Sequence, residues 1–272
     1  MRVVGFVLAA FAFVQQAQAA DLGGVLRGAM YELRSPAYFR WGGFYGGAQW
    51  GYSSASIETT NTTSDLIAFI LRNTTIESEG RVSEWTTLPD TATTASTFGG
   101  FAGYNAQWES AVLGLEINYN RGKIRGTATD SIGRSFTTST QYMYFVDVTA
   151  SASVEIKETA TFRARAAYAF GRFLPYATVG LAVGRADRSA TATVDLTAID
   201  ISFSGRPDLA LNETRTDTKK DIFTFGWAAG VGIDIMLLQN IFLRGEFERM
   251  EFTTNGVRAG ISSARAGLGL KF

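Results

Sequence analysis

The chain has 272 residues with 25 basic and 25 acidic side chains, and it contains no histidine and no cysteine. The lack of cysteine excludes a disulfide framework or a thiolate metal site, and the balanced charge gives no support for nucleic-acid binding. Glycine (29) and phenylalanine (20) are abundant but proline (4) is scarce, a mixture typical of many strands separated by polar loops.

The N-terminal segment predicts a secretory signal peptide over residues 1–19. Arg2 precedes an uncharged apolar run, and Ala17-Gln18-Ala19 has the small-x-small pattern that precedes a cleavage site. The run is shorter than a membrane-spanning helix requires, and an uncleaved anchor is the alternative. Residues 20–40 show no clear periodicity, so we expect a periplasmic lead-in there, followed by a membrane domain over residues 41–272.

Eight segments of the membrane domain alternate apolar with small or polar side chains at a period of two, as two-faced strands do. Each is close to the roughly 9–11 residues that a tilted strand needs to cross a bilayer. The predicted strands are 41–53, 97–107, 112–120, 160–170, 174–185, 221–235, 241–251 and 257–272.

The pattern is clearest in the last nine residues, ARAGLGLKF. One face of this strand is apolar and ends on an aromatic ring, whereas the other face carries only glycine and basic residues. The apolar face consists of Ala264, Ala266, Leu268, Leu270 and Phe272. If that face meets lipid, the small and charged face must line a narrow interior.

The connections between the predicted strands alternate between long and short. The long polar stretches are 54–96, 121–158 and 186–220, and the first contains an apolar run at 66–71 that reads as a helical turn or a strand extension. Transmembrane barrels have short periplasmic turns, longer external loops and an even number of strands. Because an open sheet edge cannot exist in hydrocarbon, we predict an all-β, closed, eight-stranded antiparallel transmembrane β-barrel.

A transmembrane helix over residues 222–238 is the main competing interpretation. In a lipid-facing helix, Asp234 would cost about 2.5–3.5 kcal/mol at mid-bilayer. In a strand, Phe225 and Trp227 face lipid while Asp234 shares the opposite face with glycines. We prefer the strand because its apolar side chains face lipid and its charged side chain does not.

Residues 41–52 (WGGFYGGAQWGY) resemble the small outer-membrane β-barrel family common in alphaproteobacteria, the porin-annotated group with an OmpA-like transmembrane fold. The likeness continues at 98–116, 174–184, 226–234 and the terminal AGLGLKF. It implies a location in the bacterial outer membrane, surrounded by outer-membrane lipid. It also implies that Phe272 is the signal read by the barrel assembly machinery; an ordinary hydrophobic last residue is the alternative. Asp234 and Glu248 depart from the family pattern, which usually shows a glutamate and a basic residue there.

The interior of an eight-stranded barrel is just wide enough for its side chains. Unpaired charges would be costly in such a space, so the inward charges should form a hydrogen-bonded ionic network. The predicted members are Glu116, Arg163, Arg165, Asp234, Arg244, Glu246 and Arg265, with Lys271 as a further candidate. The network would act either as a polar plug or as a selectivity ring, and the narrow interior favours the plug.

These features predict a structural or surface-interaction protein whose polar loops meet an unidentified extracellular ligand or host surface. A narrow porin-type pore for small solutes is the alternative. A haem-binding surface protein is another, with Tyr142-Met143-Tyr144 as the candidate ligand cluster, but we prefer to interpret this cluster as an aromatic strand extension near the membrane interface. Known barrel lipases, proteases and acyltransferases rely on a histidine base, which this chain lacks, so those mechanisms are excluded. Carboxylate-only hydrolysis remains an alternative, but the sequence shows no paired site for it, and we expect no enzyme, cofactor or metal.

Overall fold

The computed structural model describes residues 40–59, 63–254 and 257–272, so the predicted signal peptide and all of the lead-in except Arg40 lie outside it. Within these residues, eight antiparallel strands form a closed ring in which β8 pairs with β1. The predicted closed eight-stranded barrel is therefore confirmed. The strands are β1 (Gly43–Thr59), β2 (Thr91–Trp108), β3 (Ala111–Thr137), β4 (Tyr142–Tyr168), β5 (Phe173–Asp200), β6 (Leu209–Met236), β7 (Ile241–Thr254) and β8 (Val257–Lys271).

In the membrane-spanning band, side chains alternate between an apolar outer surface and a buried interior that holds the predicted charges, as the period-two pattern predicts. Trp227 and Leu268 are 51% and 53% exposed on the outer surface, whereas Glu116 and Arg163 are 1% and 0% exposed inside. Residues 222–236 lie in β6, so the competing helix is excluded. None of the helices in the described part of the chain is long and apolar enough to cross a membrane.

Aromatic side chains mark both edges of the apolar band, as interfacial girdles do in outer-membrane barrels. The lower girdle, beside the short turns, contains Phe44, Tyr104, Trp108, Tyr168, Phe170 and Phe173, and the upper girdle contains Tyr52, Phe98, Tyr119 and Phe223.

A band of outward-facing ion pairs on β3 to β7 adjoins the upper girdle, where Arg121 is paired with Phe98 and Arg185 with Phe223 in the strand register. It joins Arg121 to Glu158, Arg185 to Glu158 and Asp221, and Arg249 to Glu251, and we call it the collar. Charged groups avoid hydrocarbon, so the collar marks the outer limit of the membrane-spanning band.

The four central strands are much longer than the sequence pattern predicts. Strands β3 to β6 have 27 or 28 residues, whereas the other four have 14 to 18. The stretches 121–158 and 186–220 were expected to be loops, and this boundary prediction is wrong: both are mostly strand, with a turn at 138–141 and a loop at 201–208. We call these extensions above the collar the wall.

The wall was not predicted because its outward face is rich in serine and threonine, which is typical of loops. Its buried face is apolar, with alanine and valine the most frequent residues. That inner face needs an apolar cover. The connection between β1 and β2 supplies it with α1 (Ser64–Ile70), α2 (Thr75–Gly80) and a 3-10 helix (Val82–Glu84). Ile67, Leu71 and Val82 are fully buried against the wall, so the apolar run at 66–71 is largely helical.

Candidate functional site: a closed ionic lumen

The structure places all seven predicted lumen residues inside the barrel, each no more than 5% exposed. They come from five of the eight strands, and on each strand the inward-facing residues recur at every second position. Glu116 lies on β3, Arg163 and Arg165 on β4, Asp234 on β6, Arg244 and Glu246 on β7, and Arg265 on β8.

An eighth residue, Glu248, completes this cluster. Its side chain is fully buried and accepts hydrogen bonds from Arg163 Nη1 at 2.5 Å and from Arg265 Nη2 at 2.6 Å. It was not among the expected inward residues, although it stands two positions after Glu246 on the same face of β7. That parity was the signal that could have identified it. We call the eight residues the lumen network.

The lumen network is electrically balanced, with four arginines against four carboxylates. Its ion pairs form a continuous path across the barrel. Arg265 Nη2 lies 2.5 Å from Glu246 Oε1, and Arg163 Nη1 lies 2.9 Å from the same oxygen. Arg163 also forms an ion pair with Glu116. From Glu116 the path runs through Arg244 at 2.8 Å to Asp234 at 2.9 Å.

Arg165 closes a smaller circuit within this path. Its Nη2 lies 2.5 Å from Asp234 Oδ2 and its Nη1 lies 3.6 Å from Glu116 Oε2, so both carboxylates share Arg165 and Arg244. Because every charge has an opposite charge beside it, the cost of burying these groups is offset across the whole set rather than in isolated pairs.

Two tyrosines and one phenylalanine hold the guanidinium planes in place. Tyr45 donates its hydroxyl proton to Glu116 and Tyr176 to Glu246, both at 2.8 Å. The guanidinium of Arg165 stacks over the Tyr176 ring at 3.8 Å, and that of Arg244 stacks over Phe101 at the same distance. Stacking of this kind suits arginine and not lysine, which explains why these two cations are arginine.

Below the lumen network, toward the short turns, the lumen is filled by large apolar side chains. We call this layer the floor; it contains Trp41, Tyr45, Phe101, Val112, Leu174, Met236 and Phe242. The tip of the Phe242 ring lies against Gly269, where an added Cβ would come within 2.2 Å of the ring. The floor is therefore closed by contact between rings and backbone. Lys271, the further candidate, stands beside it and donates to the Gly42 carbonyl oxygen at 3.3 Å instead of joining the network.

Above the lumen network the interior becomes polar and then apolar. Gln49, Asn118 and Asn120 link their side-chain amides beside Glu116. Higher still, a buried apolar layer spans the barrel, and we call it the ceiling; it includes Ala55, Ile57, Ile124, Val154, Ile156, Met250, Phe252 and Ile261. The gaps that remain on either side of the network hardly admit water: the gap at the ceiling side offers about 10 Å³ to a water-sized molecule and the gap at the floor side offers none.

The suggested haem cluster does not form a common site. Tyr142 and Tyr144 are buried on the inner face of the wall, whereas Met143 alternates to the outer face. The Tyr142 hydroxyl donates to the Pro207 carbonyl oxygen at 3.2 Å and its ring receives the Arg206 guanidinium at 4.4 Å. The segment is a strand extension, as the alternative interpretation states, but it lies about 50 Å along β4 from the collar and not at the membrane interface.

Within the described ranges, no group of three or more Asp and Glu side chains is arranged to hold a metal ion. All four lumen carboxylates are occupied by arginines.

Comparison with solved structures finds other outer-membrane barrels. Ail, the attachment invasion locus protein of Yersinia pestis, is 12% identical over 84% of this chain and 99% of its own, with a TM-score of 0.33. Neisserial surface protein A is 13% identical over 84% and 97%, with a TM-score of 0.34. OprG from Pseudomonas aeruginosa is 12% identical over 85% and 96%, with a TM-score of 0.33. At such values these structures carry no information about what this chain does.

The search of curated proteins finds no match. The model of the outer membrane protein beta-barrel domain, by contrast, matches residues 5–272, which is nearly the whole chain. This match, together with the closed ring of strands and its apolar outer band, shows that the chain belongs to the outer membrane protein β-barrel domain family and is a surface protein of the bacterial outer membrane.

Proposed function

We propose that this protein is a closed, non-conducting barrel that anchors a rigid wall at the cell surface for interaction with an extracellular ligand or host surface. The proposal rests on the filling of the barrel interior by successive layers of side chains. Floor, lumen network and ceiling follow one another across the lumen, each built from buried side chains. A selectivity ring would need a hydrated path beside its charges, and here arginines occupy the carboxylates instead.

The rigid wall supports the display part of the proposal. Its four strands pair along their full extensions, with the β4–β5 ladder reaching from Tyr142↔Asp200 downward. The buried inner face of the wall packs on α1 and α2, so the surface it presents is ordered by a core of its own. Binding residues are commonly found on such outer segments, held in position by a rigid scaffold.

Conductance in a planar bilayer tests the proposal against a porin-type pore. The refolded protein should give no stable conductance steps, whereas the triple variant Phe242→Ala, Glu116→Ala and Phe252→Ala should give steps, because it thins both the floor and the ceiling and breaks the network between them. The matched control is Phe247→Ala, which removes a lipid-facing ring of the same strand. Stable steps in the wild-type protein would favour the porin-type pore and contradict a closed anchor.

We propose, finally, that residues 1–19 form the signal peptide, that residues 20–40 form a periplasmic lead-in to a barrel domain over residues 41–272, and that the barrel assembly machinery reads Phe272. The Phe272 side chain is 79% exposed at the lower rim. Its backbone N–H donates to the Phe44 carbonyl oxygen at 2.8 Å, beside the closure of β8 on β1. The quoted motifs further support a place in the alphaproteobacterial, porin-annotated branch of the family.

A further inference from the structure

The outer face of the wall carries the same short pattern on each of its four strands. Residues 127–131, 149–153, 189–193 and 214–218 each have serine or threonine at the first, third and fifth positions. These positions face outward, because the residues between them on β4 and β5 are buried alanines on the inner face. We call the twelve outward side chains the hydroxyl grid.

The strand register brings the hydroxyls into straight rows. Ser131 pairs with Thr149, Thr149 with Thr193, and Thr193 with Thr214, and the two rows below align in the same way. Neighbouring strands lie about 4.8 Å apart and alternate residues about 6.6 Å apart along each strand. The grid is therefore a two-dimensional lattice of hydroxyl groups on a sheet surface.

The hydroxyls form hydrogen bonds with one another but keep unused donor or acceptor positions. Thr193 and Thr214 lie 2.9 Å apart, Thr191 and Thr216 3.0 Å, and Ser131 and Thr149 3.1 Å. A hydroxyl has one donor and two acceptor positions, so each pair leaves positions open to a further partner.

Threonine favours strands, which is the ordinary explanation for such residues on an exposed sheet. That explanation does not account for β6, the last strand of the grid. Its residues 213–219 place Glu213, Arg215, Asp217 and Lys219 on one face and only threonine on the other. An exposed edge strand normally carries charge on its open surface. Here the grid face alone is kept free of charge.

The grid lies on the side of the barrel, a short distance above the collar. Arg125, which pairs with Glu155 at 2.9 Å just above the collar, is two residues below the first grid position on β3. The whole grid on β3 lies within about 35 Å of Arg121 along the strand. The grid therefore faces sideways, into the zone directly above the lipid headgroups, and not upward into the medium.

We propose that the hydroxyl grid binds the saccharide portion of the glycolipid in the outer leaflet of its own membrane. A neutral polyol matches a surface of donors and acceptors without charge. An anionic polymer would require cations in the grid, and the adjoining row instead carries Asp147 directly opposite Asp195. A protein partner would require aromatic or large apolar anchors, which the grid lacks.

The test uses the refolded full-length barrel and two purified glycolipids, one with its core saccharide and one reduced to the lipid A moiety. The grid variant combines Thr149→Val, Ser151→Ala, Thr191→Val and Thr193→Val, since valine keeps the shape of threonine. The control variant removes four exposed hydroxyls from the short side of the barrel: Ser54→Ala, Ser56→Ala, Thr94→Val and Ser96→Ala. Dissociation constants are measured by native mass spectrometry.

The wild-type and control proteins should prefer the saccharide-bearing glycolipid by about tenfold, and the grid variant should bind both glycolipids equally. Equal binding by the wild-type protein, or an unchanged preference in the grid variant, would overturn the proposal. So would a glycolipid-independent dimer that the grid variant abolishes, because the grid would then face a second copy. Should the fourfold variant fail to fold, Thr191→Val and Thr193→Val singly, in the strand interior, give the same comparison.

Discussion

Glu116 lies directly opposite Arg163 across the β3–β4 ladder, and its carboxylate accepts a hydrogen bond from that guanidinium at the centre of the barrel. The same carboxylate receives Arg244 and the Tyr45 hydroxyl, each at 2.8 Å. Neighbouring strands are thus joined twice at this level, by the backbone ladder and by side chains. Across the lumen, Arg244 extends the link from β3 to β7.

Replacing Glu116 with alanine should destabilise the barrel strongly. The change leaves buried arginines without a partner, and breaking a buried ion pair typically costs about 3–5 kcal/mol. The unfolding temperature in detergent should fall, while conductance should stay absent because floor and ceiling remain. Glu84→Ala is the control: its pair with Arg81 is exposed and worth at most about 1 kcal/mol. Equal melting of the two variants would contradict the network.

Glu248 and Arg265 should show energetic coupling in a double-mutant cycle. Glu248→Gln alone leaves one positive charge in excess among the eight, and Arg265→Gln alone leaves one negative charge in excess. The double variant restores the balance, so its loss of unfolding free energy should be smaller than the sum of the single losses by about 0.5–3 kcal/mol. Urea unfolding in lipid vesicles measures all three. Additive losses would show that the two residues act independently.

The sequence predicted the membrane-spanning band well because each strand there meets lipid on one side and a packed lumen on the other. Two different solvents impose a strict alternation, which is readable even where Asp234 interrupts an apolar stretch. Which residues face the lumen can be predicted from the alternation of side chains along each strand alone. Glu248 could have been found in this way, because it lies two positions after Glu246 on the same strand.

The wall could not be predicted from alternation because its cover is distant in sequence. Residues such as Val146 and Val194 are buried in one cluster with Ile67 and Leu71, which lie 75 to 127 residues earlier in the chain. Without that cover, an alternation of alanine or valine with threonine is indistinguishable from a polar loop. The contacts between helix and wall are therefore a tertiary property, which local periodicity does not contain.

The β5–β6 loop should lose its order in acid. Asp200 accepts hydrogen bonds from Arg206 Nη2 at 2.7 Å and from the Ser202 hydroxyl at 2.6 Å, and these bonds hold its pKa well below the ordinary range. Because the folded pKa is depressed, this contribution is fully present above the ordinary aspartate pKa and is lost as the pH falls through the folded value.

Amide hydrogen exchange over residues 202–206, corrected for its intrinsic pH dependence, measures this order. In the wild-type protein exchange should be slow near neutral pH and accelerate in acid. Asp200→Asn should exchange fast throughout, whereas Asp208→Asn, in the same loop, should keep the wild-type profile. Slow exchange in Asp200→Asn would mean that the loop is ordered by other contacts, such as that of Arg206 with Tyr142.

Phe272 should matter for assembly in cells far more than for folding in vitro. Its ring is 79% exposed and its structural hydrogen bond uses the backbone N–H, so Phe272→Ser should change the unfolding free energy by no more than about 0.5 kcal/mol. Phe170→Ser is a matched control, since that ring is 71% exposed at the same rim. If Phe272 is the assembly signal, only Phe272→Ser lowers the amount of folded protein in the outer-membrane fraction, although both variants refold in detergent. Equal outer-membrane levels of the two variants would show that Phe272 is an ordinary interfacial aromatic residue.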